Sequence, residues 1–401
     1  MDTASSAKRT HISVLGLDAE QAATCVSCGL CLPHCLTFRV TGEEKYSPRG
    51  RIDAMRAVDS GELAIDESFI DFVETCVQCR GCETACPSGV EFGALMEQTR
   101  VSLADDAKIT PWWQRLGFRV LPHHRLLLAG STALALGQRL HVVPQRLGIP
   151  RLPLRRLPAV TSTGTDVWLF TGCVMDAWQR ETHHNSAALV ALAGASISVP
   201  GAGAGCCGAL HVHAGLHGEA ADLARDVMSS MPGDAPILVN SAGCGAAMKD
   251  YGQLLDTDDA RRFSRRVVDI SEWLAERVDR LPRPAGERPA VIVQDPCHLR
   301  HVQRAHLPVR TLLAHVADVV ELDDDGLCCG AGGAYSALQP GLSGEIRDRK
   351  VESIGRARER FTAAAVASAN PGCSMHLGAV LDLPVRHPVD IVADAIGVGT
   401  R

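Results

Sequence analysis

Sixteen cysteines hold most of the chemistry of this 401-residue chain, and they are not scattered. Eight lie between residues 25 and 86, and eight between residues 173 and 373. The first eight form two runs of one spacing: Cys25, Cys28, Cys31 and Cys35, then Cys76, Cys79, Cys82 and Cys86, the last followed by Pro87. Three thiolates on one tight loop can cap three irons of a cubane [4Fe–4S] cluster, while the fourth points away to a neighbouring cluster. On that geometry cluster 1 takes Cys25, Cys28, Cys31 and Cys86, and cluster 2 takes Cys76, Cys79, Cys82 and Cys35. Zinc is the competing occupant, but zinc sites favour paired C-x2-C knuckles that total four ligands. A third cysteine at +6, a fourth at +10 and the doubled pattern favour two clusters. Cys35 is followed by Leu36 rather than proline, which alters the chain exit and not the ligand set. Gly29 and Gly81 lie inside the loops, where a missing Cβ lets the backbone approach a cluster. Between the runs, Ser47-Pro48-Arg49-Gly50-Arg51 offers arginines that could offset the charge of a reduced cluster, or form a polar turn before a helix.

The second eight cysteines mark an internal repeat. In the first copy an apolar run, Val167–Phe170, leads to Cys173; Ser196–Val199 leads to Cys206-Cys207-Gly208; Pro236–Val239 leads to Cys244. In the second, Ala290–Val293 leads to Cys297, Val319–Leu322 to Cys328-Cys329-Gly330, and Ala364–Ala367 to Cys373. The first cysteine stands 33 residues before the pair in one copy and 31 in the other. Helical stretches such as His183–Ala193 and Gly218–Ser230 separate the runs. Strands alternating with helices predict βαβ units on a parallel sheet. Functional groups gather beyond the carboxyl ends of such strands, so the cysteines of each copy are expected to converge on one sheet edge. Gly203, Gly205 and Gly208 match a dinucleotide-binding pattern, but the second copy lacks those glycines and keeps only Cys-Cys-Gly. Metal or redox chemistry is therefore the better reading.

The rest of the composition sets bounds. The N-terminus MDTASSAKRT is polar and no apolar region follows it, which predicts a cytoplasmic protein with reduced thiols rather than a disulfide framework. The most apolar stretch, Leu126–Leu136, is eleven residues, short of a membrane span and expected to be a buried helix. A net charge of −6 gives no support for nucleic-acid binding. Residues 108–160 contain eight arginines (115, 119, 125, 139, 146, 151, 155, 156), Trp112 and Trp113, and no acidic residue. This stretch could rest on anionic lipid at the inner face of the plasma membrane, contact acidic partner subunits, or be a solvated linker packed on its own domain. His183 and His184 are expected at the surface. No catalytic triad or carboxylate pair stands out, and no flavin or nicotinamide fingerprint.

Two repeats of the form C…CCG…C are similar to the paired CCG domains of the heterodisulfide-reductase B subunit family. A double ferredoxin domain ahead of them, with Ser47-Pro48-Arg49-Gly50-Arg51 and Asp295-Pro296-Cys297-His298, resembles the glycolate oxidase iron–sulfur subunit family over about residues 20–390. The resemblance implies a mixed α+β and α/β architecture: a helical two-cluster ferredoxin-type domain at 1–107, a basic connector at 108–164, and CCG domains with parallel sheets at 165–280 and 289–401. It implies an electron-transfer role, taking electrons from FAD-containing subunits that oxidise glycolate and passing them toward a quinone. Lactate and glycerol-3-phosphate dehydrogenases use related subunits. Heterodisulfide reductases end each repeat in C-x2-C, whereas here the +3 positions are Ala247 and His376. Four cysteines per copy remain: Cys173, Cys206, Cys207 and Cys244 as a candidate third site, and Cys297, Cys328, Cys329 and Cys373 as a candidate fourth. They could each hold a further cluster, or act as thiol redox sites or a relic scaffold. His298, His301 and His376 could be extra ligands or hydrogen-bonding neighbours.

Overall fold

The structure, a computed structural model, describes residues 13–106, 108–143, 152–201, 204–284, 286–324 and 326–400. The first twelve residues, Arg146, Arg151 and Gly203 lie outside them.

The N-terminal part is helical, built on Leu36–Thr41, Pro48–Asp59, Glu67–Glu74 and Phe92–Asp105. Ser47 starts the second of these: its hydroxyl accepts from the Gly50 N–H at 3.0 Å, and Pro48 sits where no donor is needed. Gly50 is required there, because a Cβ would collide with the Glu44 carbonyl. Asp66 caps the next helix by accepting from Phe69 N–H at 2.8 Å. The last three helices close on one apolar core that includes Met55, Val58, Val73, Leu95, Met96 and Leu103, while Leu36 and Val40 of the first pack with the second repeat.

Each repeat carries a four-stranded parallel sheet. The first contains β1 (Val167–Phe170), β2 (Ile197–Ser198), β3 (Ile237–Val239) and β4 (Val267–Asp269), ordered β2-β1-β3-β4. The second contains β5 (Ala290–Val293), β6 (Asp318–Val320), β7 (Ala363–Ala367) and β8 (Val385–Arg386), ordered β6-β5-β7-β8. Helices cover both faces of such sheets, which is why the strands read as unbroken apolar runs. Strands β2 and β6 are shorter than the runs that announce them. Strands β4 and β8 have no counterpart in the sequence reading, being only three and two residues long, too short to show a period. The repeats share one core in which Leu169, Leu189 and Leu238 of the first meet Val291, Leu312 and Val389 of the second.

Two sequence expectations need correction. Leu126–Leu136 falls within a helix, His124–Arg139, but that helix is not buried: Leu126 is 58% and Leu136 49% exposed, and only Ser131 and Ala135 are fully covered. The connector has one neighbouring surface and so buries one narrow stripe. His183 is not a surface residue. It is fully buried between the repeats, where its Nδ1 accepts from the Asn240 amide at 2.9 Å; its neighbour His184 is half-exposed, its ring 2.9 Å from the Pro158 carbonyl.

Candidate metal centres

The two cysteine loops of the N-terminal part have the same backbone. Ser27 (φ 55°) and Gly29 (φ 84°) are left-handed in the first loop, Gln78 (φ 56°) and Arg80 (φ 57°) at the matching offsets of the second. Gly29 corresponds to Arg80, and Gly81 begins the short helix Gly81–Thr84 beside the His301 ring. An arginine in a left-handed conformation carries backbone strain that its ion pairs with Glu83 (2.9 Å) and Asp250 (3.0 Å) help hold.

Cys35 leaves its own run and joins the second loop: Cys35, Cys76, Cys79 and Cys82 line one small internal cavity. Cys25, Cys31 and Cys86 each pack against the N-terminal core, with Cys28 exposed at the loop tip. Burial pushes the thiols of Cys79 and Cys82 well up, so four thiolates there need positive charge to offset them. Arginine supplies part of it. Arg51 is 2% exposed, has no carboxylate ion pair among the described residues, and reaches Cys35 Sγ at 3.9 Å and Thr37 Oγ1 at 3.1 Å. Arg49 donates to the Ser27 carbonyl at 3.1 Å and Arg56 to the Cys25 carbonyl at 3.0 Å, so the arginines between the runs bind the first loop as well as the second. A buried guanidinium facing four thiols fits an anionic iron–sulfur cluster, whose chemistry is to accept and release one electron.

Each repeat also gathers its four thiols. In the first, Cys173 and Cys206 Sγ atoms stand 3.9 Å apart, and Cys207 bridges Cys206 to Cys244. Donation from Cys173 and Cys207 holds the Cys206 thiol well below its usual range, whereas donation to Cys206 and Cys244, with burial, pushes Cys207 up. The second repeat runs in the same order, Cys297 to Cys328 to Cys329 to Cys373. Gly208 (φ 80°) and Gly330 (φ 87°) make the same left-handed turn after each pair, which only glycine adopts without strain. Asp295, just before Cys297, is clamped by Arg310 (2.7 Å) and Arg300 (2.9 Å). Burial works against its ionisation, yet those guanidinium groups hold its carboxyl below the usual range.

Of the histidines near these sites, His376 and His301 lie within hydrogen-bond distance of hydroxyls. The His376 ring lies 3.1 Å from the Ser343 hydroxyl, which donates to the Gly330 carbonyl, and the His301 ring is 2.9 Å from the Thr84 hydroxyl. Sequence reasoning missed the residues that join the sites. Asn370 accepts from the Gly243 N–H at 3.1 Å, beside Cys244, and donates to Cys373 Sγ at 3.6 Å, so it touches both repeats. Tyr335 donates to the Thr75 carbonyl at 3.1 Å, and Gln78 to the His213 carbonyl at 3.0 Å. Leu36, Val77 and Cys79 of the N-terminal part enter the core of the second repeat beside Cys297 and Cys328. Only the matched loop offsets of Gln78 and Ser27 hinted at any of these.

Comparison with known proteins agrees at both cysteine-bearing regions. The model of a 4Fe-4S dicluster domain matches residues 21–90, and that of a cysteine-rich domain matches 167–249 and 291–378. A dihydromethanophenazine:CoB–CoM heterodisulfide reductase polypeptide of Methanosarcina barkeri (strain Fusaro / DSM 804) is 26% identical, over 98% of this chain and 97% of that one. The glycolate oxidase iron–sulfur subunit of Escherichia coli (strain K12) is 29% identical over 93% of each chain. The probable glycolate oxidase iron–sulfur subunit of Bacillus subtilis (strain 168) is 32% identical over 95% of each. Similarity of that extent, running through the cluster loops and both repeats, shows that the chain belongs to the family of glycolate oxidase iron–sulfur subunits.

Proposed function

We propose that the chain is the electron conduit of a flavin-dependent 2-hydroxy-acid dehydrogenase, with glycolate as the first candidate substrate. FAD-containing partner subunits oxidise the substrate, and electrons pass through this chain toward a quinone. Cys25, Cys28, Cys31 and Cys86 hold one [4Fe–4S] cluster, and Cys35, Cys76, Cys79 and Cys82 the other. Cys173, Cys206, Cys207 and Cys244, and Cys297, Cys328, Cys329 and Cys373, hold further iron–sulfur. The observation that carries this reading is the crossing of Cys35 into the second loop, beside the buried Arg51. That exchange of the fourth ligand is what a two-cluster ferredoxin requires and a pair of zinc knuckles does not. The closeness of Cys79 to Cys297 and Cys328 supports passage of electrons from the second cluster into the second repeat. The test is anaerobic purification with iron and sulfide counts and EPR of the reduced chain. Two cubanes require about eight irons and further clusters about twelve or more; zinc without iron would overturn the reading.

A second reading, a heterodisulfide-reductase-like thiol redox enzyme, draws on the low-lying Cys206 thiol 3.9 Å from Cys173. It predicts thiol–disulfide exchange by the isolated chain, lost in Cys206→Ser.

No helix among the described residues is long and apolar enough to cross a membrane. A peripheral location at the inner face of the plasma membrane is supported by the connector, where Trp112 (75%) and Trp113 (54%) are exposed beside Arg119 and Arg125.

A further inference from the structure

A cavity of about 690 Å³ lies between helix Phe92–Asp105 and the first repeat. That is within the range of small-molecule sites, roughly 300–1,000 Å³. Its lining takes in the chain neighbours of three cysteine sets: Gln78 and Arg80 flank Cys79, Gly243 precedes Cys244, and His298 follows Cys297. A molecule held there sits beside three of the four places where electrons could reside. Apolar surface comes from Val14, Phe92, Met96, Val212 and Leu254. Polar groups stand against it and are already held in place. Arg80 is fixed by Glu83 and Asp250, Gln78 by the His213 carbonyl, and the His213 and His298 rings lie 5.3 Å apart. Three carboxyls, Glu97, Asp105 and Asp250, also line the cavity. Burial pushes Glu97 up to about 7, with Asp250 adding to the rise, so it can carry a proton near neutrality.

Among the described residues no cysteine lines the cavity. A disulfide bound there could not form a mixed disulfide with the chain, so thiol exchange is not its chemistry. The occupant must take electrons without covalent attachment, collect protons from carboxyl groups, and bury an apolar body against aromatic and aliphatic walls. An uncharged quinone has these properties, its carbonyl oxygens accepting hydrogen bonds from groups such as Arg80 and His298.

We infer that this cavity is the binding site of the quinone-class electron acceptor; the inference rests on the electron-conduit reading and gives it a location. Reduction adds two electrons and two protons, each carbonyl becoming a hydroxyl as the ring becomes an aromatic quinol. The reductant is the reduced flavin of the partner subunit, relayed by this chain, and the protons enter from solvent past Glu97 and Asp250.

The test uses the full, cluster-loaded chain and menadione in equilibrium dialysis. One molecule is expected per chain, and Ala94→Trp or Ala247→Trp, which fill the cavity from two elements, should weaken binding about tenfold or more. Iron content and the EPR of the reduced clusters should be unchanged. An azidoquinone photolabel on the unaltered chain places the site without relying on any variant, and labelling is expected on the residues that line the cavity, within 13–16, 78–80, 92–105, 209–217 or 243–254 or at His298. No binding to the unaltered chain, undiminished binding in the iron-replete variants, or labelling elsewhere overturns the site. Absent cluster signals would instead overturn the electron-conduit reading, while menadione binding and labelling still decide the cavity.

Discussion

Arg51 is the residue on which the second cluster site most depends electrostatically. A unit charge roughly 6–8 Å from a cluster, at an effective dielectric constant of about 20, favours an added electron by about 2–3 kcal/mol. Arg51→Ala should therefore lower the reduction potential of that cluster by on the order of 100 mV, and Arg51→Lys should restore most of it. A potentiometric titration followed by EPR checks this; an unmoved potential would mean the cluster does not feel that charge. His183 makes a separate prediction about acid. Burial lowers its pKa from 6.5 to about 4, so between those values the unfolded chain binds a proton that the folded chain refuses. Its contribution falls as pH drops through this window, by up to about 1.4 kcal/mol per pH unit. Asp390, raised by burial to about 6 in the same interface, has the opposite sign. Comparing His183→Gln with the unaltered chain isolates the histidine: the variant should be less stable at pH 7, and the difference should shrink toward pH 4. An equal difference at every pH in denaturant titrations would remove the buried imidazole from the account.

At the scale of elements the connector separates into two kinds of arginine. Arg115, Arg139 and Arg156 turn inward onto carbonyls: Arg115 to Thr110 at 3.0 Å, Arg139 to Leu152 at 3.1 Å, Arg156 to Ala177 at 2.7 Å. Arg119, Arg125 and Arg155 are exposed, in company with Trp112, Trp113, Leu116 and Leu126. Glutamate at the three exposed positions should cost binding to anionic vesicles about 1 kcal/mol or more per residue and leave the melting temperature nearly unchanged. Glutamate at Arg156 should do the reverse, destabilising the fold. Co-sedimentation at low and high salt, beside thermal melts, reads both; vesicle binding that ignores salt and charge would retire the lipid contact. The composition showed eight arginines without acids. It could not show which ones the backbone would use, because that depends on where helices Trp112–Val120 and His124–Arg139 come to rest.

Across the whole molecule, the N-terminal part and the second repeat share buried surface through Leu36, Val77 and Tyr335. Loss of the second cluster should loosen this joint as well as the loop. Cys82→Ser is expected to lower iron content by about four per chain, and limited proteolysis should then cut first between residues 13 and 106. Retention of full iron, or unchanged protection of that segment, would contradict the proposed ligand set. Asn370 couples the two repeats in the same way. Asn370→Leu removes a hydrogen bond on each side and should destabilise by about 1–3 kcal/mol, measured by chemical denaturation.

The spacing of Cys25, Cys28, Cys31 and Cys35, and of Cys76, Cys79, Cys82 and Cys86, was enough to announce iron–sulfur, because loop geometry is local and three thiolates on one tight loop can cap three irons of a cubane. The repeat was equally legible in three strands of each copy, since each of those is an apolar run that leads to a cysteine. Tertiary structure alone decided how the parts meet: that Cys79 faces Cys297 and Cys328, that Asn370 spans the repeats, that His183 is buried, and that a cavity opens where three cysteine sets adjoin. These are contacts between residues up to hundreds of positions apart. No local period encodes them; they follow from how the shared core packs the two sheets together and seats the ferredoxin loops on the second.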